Sequence, residues 1–477
     1  MKPYLTVIAS IIILLITACS SEDSPAVTSW PVCESVAMEG SLADKAAEYD
    51  RIAKDWHLSG DGLLRNVYLT EDLSAVELHQ HTENTILWSG MYLGSQALRY
   101  AVTGNTEAVA NATVVVKALR QLTEVTGSKG LYGRSMVKPG VDYNFDGKDN
   151  PGWTASPAQG YEGWYFRNDV SKDGYDGLVF GYAVALEHFD DPFIVQEVSA
   201  LLGEIADHLV DNGLQIIDYH GAVTEHGRLY HSALDDFPGF NALLASSWIK
   251  VMADAPGARA DLDDFYYGCL MGMRDVTCPV FDTMDMGTYI ESMETALNLF
   301  LPNCKQNYDN FDMCYQAMYP LLRREQDPEL RQRLLDVLRS SMFHTEKGTF
   351  QSMAELGHSF FTFAYVGLSG DNADDPIVAK AVDNGICTLK EFPPLKYDRY
   401  IPADPQQGVC INRMDKATAA EPIPLSNYAF DNYLWRLDPF EIQPEEHAEN
   451  RRQIFSPEDF LIAYWLGRYH GIIPAEM

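Results

Sequence analysis

Residues 88–119 read WSGMYLGSQALRYAVTGNTEAVANATVVVKAL. The first part, rich in aromatics, Gly, Ala and Ser, is apolar nearly all round, and a helix of that kind is buried on both sides. A tight turn at Gly104-Asn105 leads into a helix with a one-sided apolar stripe, which belongs on the outside. The same two-part pattern recurs. YDGLVFGYAVALEHFDD (175–191) runs into PFIVQEVSALLGEIADHL (192–209), FPGFNALLASSWIKVMADAPG (237–257) into ARADLDDFYYG (258–268), NYDNFDMCYQAMYPLLRREQD (307–327) into PELRQRLLDVLRSSM (328–342), and HSFFTFAYVGLSGDNADD (358–375) into PIVAKAVDNGI (376–386).

Stacked this way, inner helices begin near 84, 174, 237, 308, 358 and 458, and outer helices near 39, 105, 192, 257, 328 and 376. Turns from inner to outer helices are short. The return connections, 58–82, 127–172, 213–235, 274–306 and 389–455, are mostly long. The expectation is an all-α fold, a single (α/α)6 toroid over 36–477 with its long loops on one face and an extra helix in 286–302. An open α-solenoid is the alternative, although its repeats are usually more uniform. Trp88, Tyr182, Phe240, Tyr315, Phe361 and Tyr464 should lie buried on the inner helices. Ser41 with Asp44, and Ser456-Pro457 with Asp459, read as N-caps with an acid three residues on. Asp191-Pro192, Asp327-Pro328 and Asp375-Pro376 are further helix starts rather than active-site acids.

The 477 residues include 68 Asp and Glu against 35 Lys and Arg, for a net charge of -33. That balance excludes a nucleic-acid partner, which needs a basic surface. With 46% hydrophobic and 12% aromatic residues the chain buries a large core, so disorder is excluded too. Lys2 and the apolar run 5–16 suit a signal peptide (1–18), and Ile16-Thr17-Ala18-Cys19 a bacterial lipobox. Cys19 would take the lipid at the head of a tether, 19–35. Membrane attachment is expected through that lipid only, facing the periplasm; an ordinary secretory signal is the alternative. Seven cysteines remain. Cys269 with Cys278, Cys304 with Cys314 and Cys387 with Cys410 are the near-neighbour pairs, with Cys33 left over; Cys304 and Cys314 can equally be reduced core residues.

The paired helices, with WSGMYL (88–93) and DVSKDGYDG (169–177) at inner-helix starts and YLWRLDP (433–439) and AYWLGRYHG (463–471) near the end, resemble the six-hairpin glycosidase-like superfamily. The resemblance spans roughly 36–473 and implies the toroid. It leaves the chemistry open among glycoside hydrolases, unsaturated uronyl hydrolases and sugar epimerases, and no catalytic motif carries over residue by residue.

In such a toroid the long loops and the inner-helix N-termini share one face, where helix dipoles favour carboxylates. Glu83, Asp173 and Asp236 each begin an inner helix and should open onto one cavity. Glycosidic cleavage needs one protonated and one ionised carboxyl. Asp173 is the expected acid and Glu83 the ionised partner, because each precedes an aromatic-glycine opening, WSG or YDG, where lost bulk lets a ligand approach. Asp459 and Asp309 look more like caps. Trp88, Trp153, Trp164 and Tyr175 offer faces for a saccharide to stack on, or simply pin the loops. His226 and Arg228 on a hairpin within 213–235, with Asn310 and His358 at helix starts, complete the substrate-binding set. Asp142, Asn144 and Asp146, spaced two apart before Gly147, match the first half of a calcium loop, with Trp153 standing where its twelfth-position Glu belongs. The alternative there is an Asx-rich turn. No other cofactor is expected. The leading function is hydrolysis of a saccharide. The rivals are a uronate lyase or epimerase with Tyr175 or His226 as base, which the scarcity of Arg and Lys in these loops disfavours, and a non-catalytic binder of glycan or a partner.

Overall fold

The computed structural model describes residues 40–80, 84–143, 145, 152–233, 237–279, 287–297, 303–343, 352–371, 374–397, 401, 408–427, 439–442 and 451–477. Glu83, Asp236, Asn144, Asp146, Cys19 and Cys33 lie outside them, as do the signal segment and tether. The helices of the described residues, in chain order, are α1 (Leu42–Ile52), α2 (Thr85–Thr103), α3 (Thr106–Glu124), α4 (Lys172–His188), α5 (Pro192–Asp211), α6 (Pro238–Ala253), α7 (Leu262–Asp264), α8 (Tyr289–Ala296), α9 (Tyr308–Arg324), α10 (Pro328–Val337), α11 (Ser359–Ser369), α12 (Pro376–Glu391) and α13 (Glu458–Tyr469).

Around the inside, α2 packs on α4, α4 on α6, α6 on α9, α9 on α11, α11 on α13, and α13 back on α2. The ring therefore closes, and an open solenoid is excluded. Helices α3, α5, α7, α10, α12 and α1 back α2, α4, α6, α9, α11 and α13 in turn, so the first described helix completes the last hairpin. The N–H of Leu42 donates to the Met477 carbonyl at 2.6 Å. The extra helix is α8, packed on α6 and α10. Trp88, Tyr182, Phe240, Tyr315, Phe361 and Tyr464 are all buried on inner helices, as their all-round apolar context requires.

Side chains start most of these helices. Ser41 and Asp44 form the reciprocal capping box of α1, and Asp191, Asp327 and Asp375 each accept two first-turn N–H groups. The Ser456 expectation is corrected. Pro457 is the N-cap of α13 without a side-chain bond, Ser456 turns to Asn66, and Asp459 instead pairs with buried Lys396 at 2.5 Å.

The glycines of WSG and YDG serve packing, not ligand access, which corrects that part of the case for Glu83 and Asp173. A Cβ on Gly90 would collide with the Gly177 carbonyl, and one on Gly181 with the Gly90 carbonyl. The two backbones of α2 and α4 touch there. Gly90→Ala is expected to cost about 3 kcal/mol, the upper end for overpacking, because the obstacle is main chain. Gly203→Ala on α5, where an added Cβ meets nothing within 4 Å, should instead stabilise by about 0.5–1 kcal/mol. Urea denaturation of the two variants checks both signs.

The long connections carry short strands: β1 (Val67–Leu69), β2 (Val76–His79), β3 (Met136–Val137), β4 (Trp153–Ala155), β5 (Tyr165–Arg167), β6 (Gln215–Ile217), β7 (Val223–Arg228), β8 (Val409–Ile411), β9 (Ala417–Ala419) and β10 (Gln453–Ile454). They form the antiparallel sheets β10-β1-β2 and β3-β5-β4 and the hairpins β6-β7 and β8-β9. Cys269 and Cys278 are bonded as expected, with Cα atoms 5.4 Å apart. The other two near-neighbour pairings are wrong. Cys304 bonds Cys410 across 106 residues, tying β8 to the turn before α9. Cys314 is a reduced thiol buried within α9, facing the core. Cys387 is also disulfide-bonded.

Candidate functional site

The site grows from the first turns of α4. Lys172, Asp173 and Asp176 are all buried although they open a helix on the loop face. The Ser171 hydroxyl donates to Asp173 Oδ1. Burial raises the Asp173 pKa above the ordinary carboxylate range, while the Arg134 guanidinium, first-turn N–H groups and His226 pull against it. Three residues on, and so on the same side of the helix, Asp176 accepts the indole N–H of Trp248 at 2.8 Å. Its other oxygen has no hydrogen-bond partner among the described residues. Burial, with the charge of Asp173 adding, pushes Asp176 well up.

Helix α9 touches α4 across the ring and supplies a second buried acid. Asp312 is fully buried and accepts from Gln316 at 2.6 Å, with its second oxygen likewise unpartnered. Desolvation and then the charge of Asp176 raise its pKa strongly. Two neutral carboxyls at depth are what such surroundings enforce, since ionising either would strand a charge away from water.

Loops frame Asp173 from above. Arg134, partly exposed, donates to Asn84 Oδ1 at 2.6 Å and to the Asp169 carbonyl at 3.4 Å, so it ties the start of α2 to the approach of α4. Asp169 has a φ of 53°, a left-handed conformation that aspartate tolerates. Its Oδ1 accepts the Glu225 N–H at 2.9 Å. That bond fastens the β6-β7 hairpin over the loop and holds exposed His226 near Asp173. Lys172 points the other way, donating to Asn241 Oδ1 at 2.9 Å and to the Arg228 carbonyl at 3.3 Å.

The expected substrate-binding residues divide. His226 and Arg228 lie on the hairpin beside Asp173, and Asn310 sits nearly buried between two acids of α9. Tyr175 is not in a cleft: it is wholly buried, donates to the Gly130 carbonyl at 2.6 Å and stacks on Trp248. His358 caps α11, buried and stacked on Phe361 at 3.6 Å. Trp88 and Trp153 are buried in packing contacts, Trp153 against Phe145. Trp164 packs on Tyr161, whose hydroxyl donates to Glu124 at the end of outer helix α3. These aromatics pin the loop. Asp142 is exposed, and its carbonyl accepts from the His79 N–H at 3.0 Å; its two proposed calcium co-ligands lie outside the described residues. Asp309, in the first turn of α9, is ion-paired with Arg413 at 2.8 Å. Sequence reasoning missed Arg134, Asp176 and Asp312. The last two carried a usable signal, an acid inside an otherwise apolar inner helix.

Glu458, beside Asp459 on α13, is fully buried, and burial raises its pKa to about 8 against the pull of Lys396. The folded chain thus keeps a proton that an unfolded glutamate gives up above about 4.3, so this stability is present at low pH and lost as pH rises toward 8. Burial lowers His57 to about 3 and His470 to about 4. Those histidines act oppositely, costing stability below about pH 6.5, where the unfolded rings bind protons. From pH 6.5 to about 7, before Lys45, which burial lowers to about 8, begins to act in the opposite sense, the raised acids dominate and the melting temperature should fall. Glu458→Gln should flatten that fall, gaining on the order of 1.4 kcal/mol per pH unit over the wild type. An unchanged slope would show that the proton is held elsewhere.

No family model matches the chain, and no curated protein matches it. Among solved structures it is similar to a sugar epimerase from a ruminal bacterium, at 9% identity over 91% of this chain and 100% of that one, with a TM-score of 0.45. It is also similar to a GH76 α-mannanase from Bacteroides thetaiotaomicron, at 9% identity over 91% and 95% of the two chains, TM-score 0.42. An unsaturated glucuronyl hydrolase specific for heparin is 8% identical over 90% and 96%, TM-score 0.40.

Proposed function

We propose that the protein is an exported enzyme that hydrolyses a saccharide, with Asp173 as general acid. One observation carries this: a carboxyl at the start of an inner helix, held above its ordinary range by burial, beneath a rim of Arg134, Asp169 and His226. A general acid must keep its proton near neutral pH and still meet the leaving oxygen. Glu83 is the ionised partner expected from sequence, with Asp236 expected to open onto the same cavity. A lipid on Cys19 and a periplasm-facing location belong to the same proposal, and the disulfides support an oxidising compartment. So does a structural calcium on Asp142, Asn144 and Asp146, supported by their spacing alone.

Arg134 favours a second function, a uronate lyase or epimerase, because it supplies a cation beside Asp173. His226 would be its base; Tyr175 would not, since burial raises its pKa and its hydroxyl is committed to Gly130. Incubating the purified chain with a glycan panel, while reading reducing ends and the absorbance of unsaturated products together, separates these. New reducing ends without absorbance support hydrolysis; absorbance transfers the site to a lyase; binding without either product leaves a glycan-binding protein.

A further inference from the structure

Helices α4 and α9 meet across the ring and open with the same acidic spacing. On α4 it is Asp173-Gly174-Tyr175-Asp176, and on α9 Asp309-Asn310-Phe311-Asp312. In both, the acids are the second and fifth residues of the helix. The deep members, Asp176 and Asp312, are close enough that the charge of one bears on the other. Three residues earlier, at about 1.5 Å of rise each, Asp173 and Asp309 stand roughly one turn nearer the loop face on the same two lines.

Their surroundings differ. Asp173 is buried. Asp309 is partly exposed and salt-bridged to Arg413, on the turn of the β8-β9 hairpin that the Cys304–Cys410 disulfide fastens to the approach of α9. Asp309 also lines a cavity of about 90 Å³ with Tyr308, Arg413 and Lys416. That is room for several waters at about 10–15 Å³ each.

We propose that Asp309 is the ionised partner of Asp173, the general base that activates the attacking water, with Arg413 as the positioning residue that holds its carboxylate. The proposal rests on the hydrolase function above and replaces Glu83 in that role. The water oxygen bonds to the anomeric carbon and its proton passes to Asp309. The glycosidic C–O bond breaks with its electron pair on the leaving oxygen, which takes the Asp173 proton. Both carboxyls then return to their starting states by exchange with solvent. Attack opposite the leaving group inverts the anomeric configuration.

The test uses the full chain and a panel of 4-nitrophenyl glycosides and glycans, with the wild type, Asp173→Asn, Asp309→Asn, Glu83→Gln, Asp236→Asn and Arg413→Gln compared on each. Asp309→Asn should lower kcat at least about 100-fold with little change in KM or melting temperature, and by more than either Glu83→Gln or Asp236→Asn does. Arg413→Gln should move the acid limb of the kcat/KM profile to higher pH, which a merely structural residue would not do. Proton NMR should show the inverted anomer first. Full activity in Asp309→Asn beside an inactive Asp173→Asn overturns the base assignment and leaves the hydrolase proposal standing. A retained anomer overturns it as well. If Asp309→Asn does not fold, an unshifted acid limb in Arg413→Gln overturns it. No turnover by the wild type, or unchanged turnover in Asp173→Asn, ends both proposals.

Discussion

Asp173→Asn is expected to lower kcat by about 100- to 10,000-fold, the usual contribution of a general acid, with sugar affinity and melting temperature near those of the wild type. Burial holds the native carboxyl toward its neutral form, so an amide replaces one uncharged group by another of the same shape. The Ser171 hydroxyl and the first-turn N–H groups keep an oxygen to donate to. Only the transferable proton is lost. Stopped-assay kinetics on whichever panel substrate is turned over, together with a thermal melt, give the answer. Unchanged turnover removes Asp173 from the chemistry. Loss of folding instead shows that the side chain mainly organises the start of α4.

Arg65→Met is expected to destabilise the fold by about 3–5 kcal/mol, because it strands a buried charge. Asp61 and Arg65 are both fully buried and paired at 2.6 Å. Arg65 also donates to Ser135 Oγ at 3.0 Å and to the Met136 carbonyl at 2.6 Å, and the Tyr143 hydroxyl donates to Asp61 at 2.7 Å. This one network binds the 58–82 connection to the loop that carries Arg134. Burial alone would raise the Asp61 pKa, but the Arg65 charge and the hydrogen bonds outweigh it and hold it below the ordinary value. In the wild type the pair therefore stabilises above about pH 3.9, the unfolded value, and its contribution fades as pH falls through the lower folded one. Without Arg65 the sign reverses. Asp61 is then raised, so the deficit should be larger at pH 8 than at pH 5, and Asp61→Leu in the same chain should recover much of it. An equal deficit at both pH values would mean that lost packing, not stranded charge, is the cause.

The helices were legible because their causes are local. All-round apolar runs identified α2, α4, α6, α9, α11 and α13, and Asp-Pro pairs marked the starts of α5, α10 and α12, since period and capping depend on residues within one turn. Asp173 was legible as an acid at an inner-helix start, but for a mistaken reason. Gly90 of WSG and Gly177 of YDG suggested space for a ligand, whereas they serve the contact of α2 with α4.

What the sequence determined by itself was the alternation of buried and half-buried helices, and with it the six hairpins and the face that carries the long loops. Only the tertiary structure decided that Cys304 joins Cys410, that Tyr175 and His358 turn inward, and that Asp309 meets Arg413. It alone brought Asp176 to Asp312, 136 positions further along the chain. A disulfide, an ion pair and a pKa shift each depend on distance and on excluded water between residues that one-dimensional spacing does not relate.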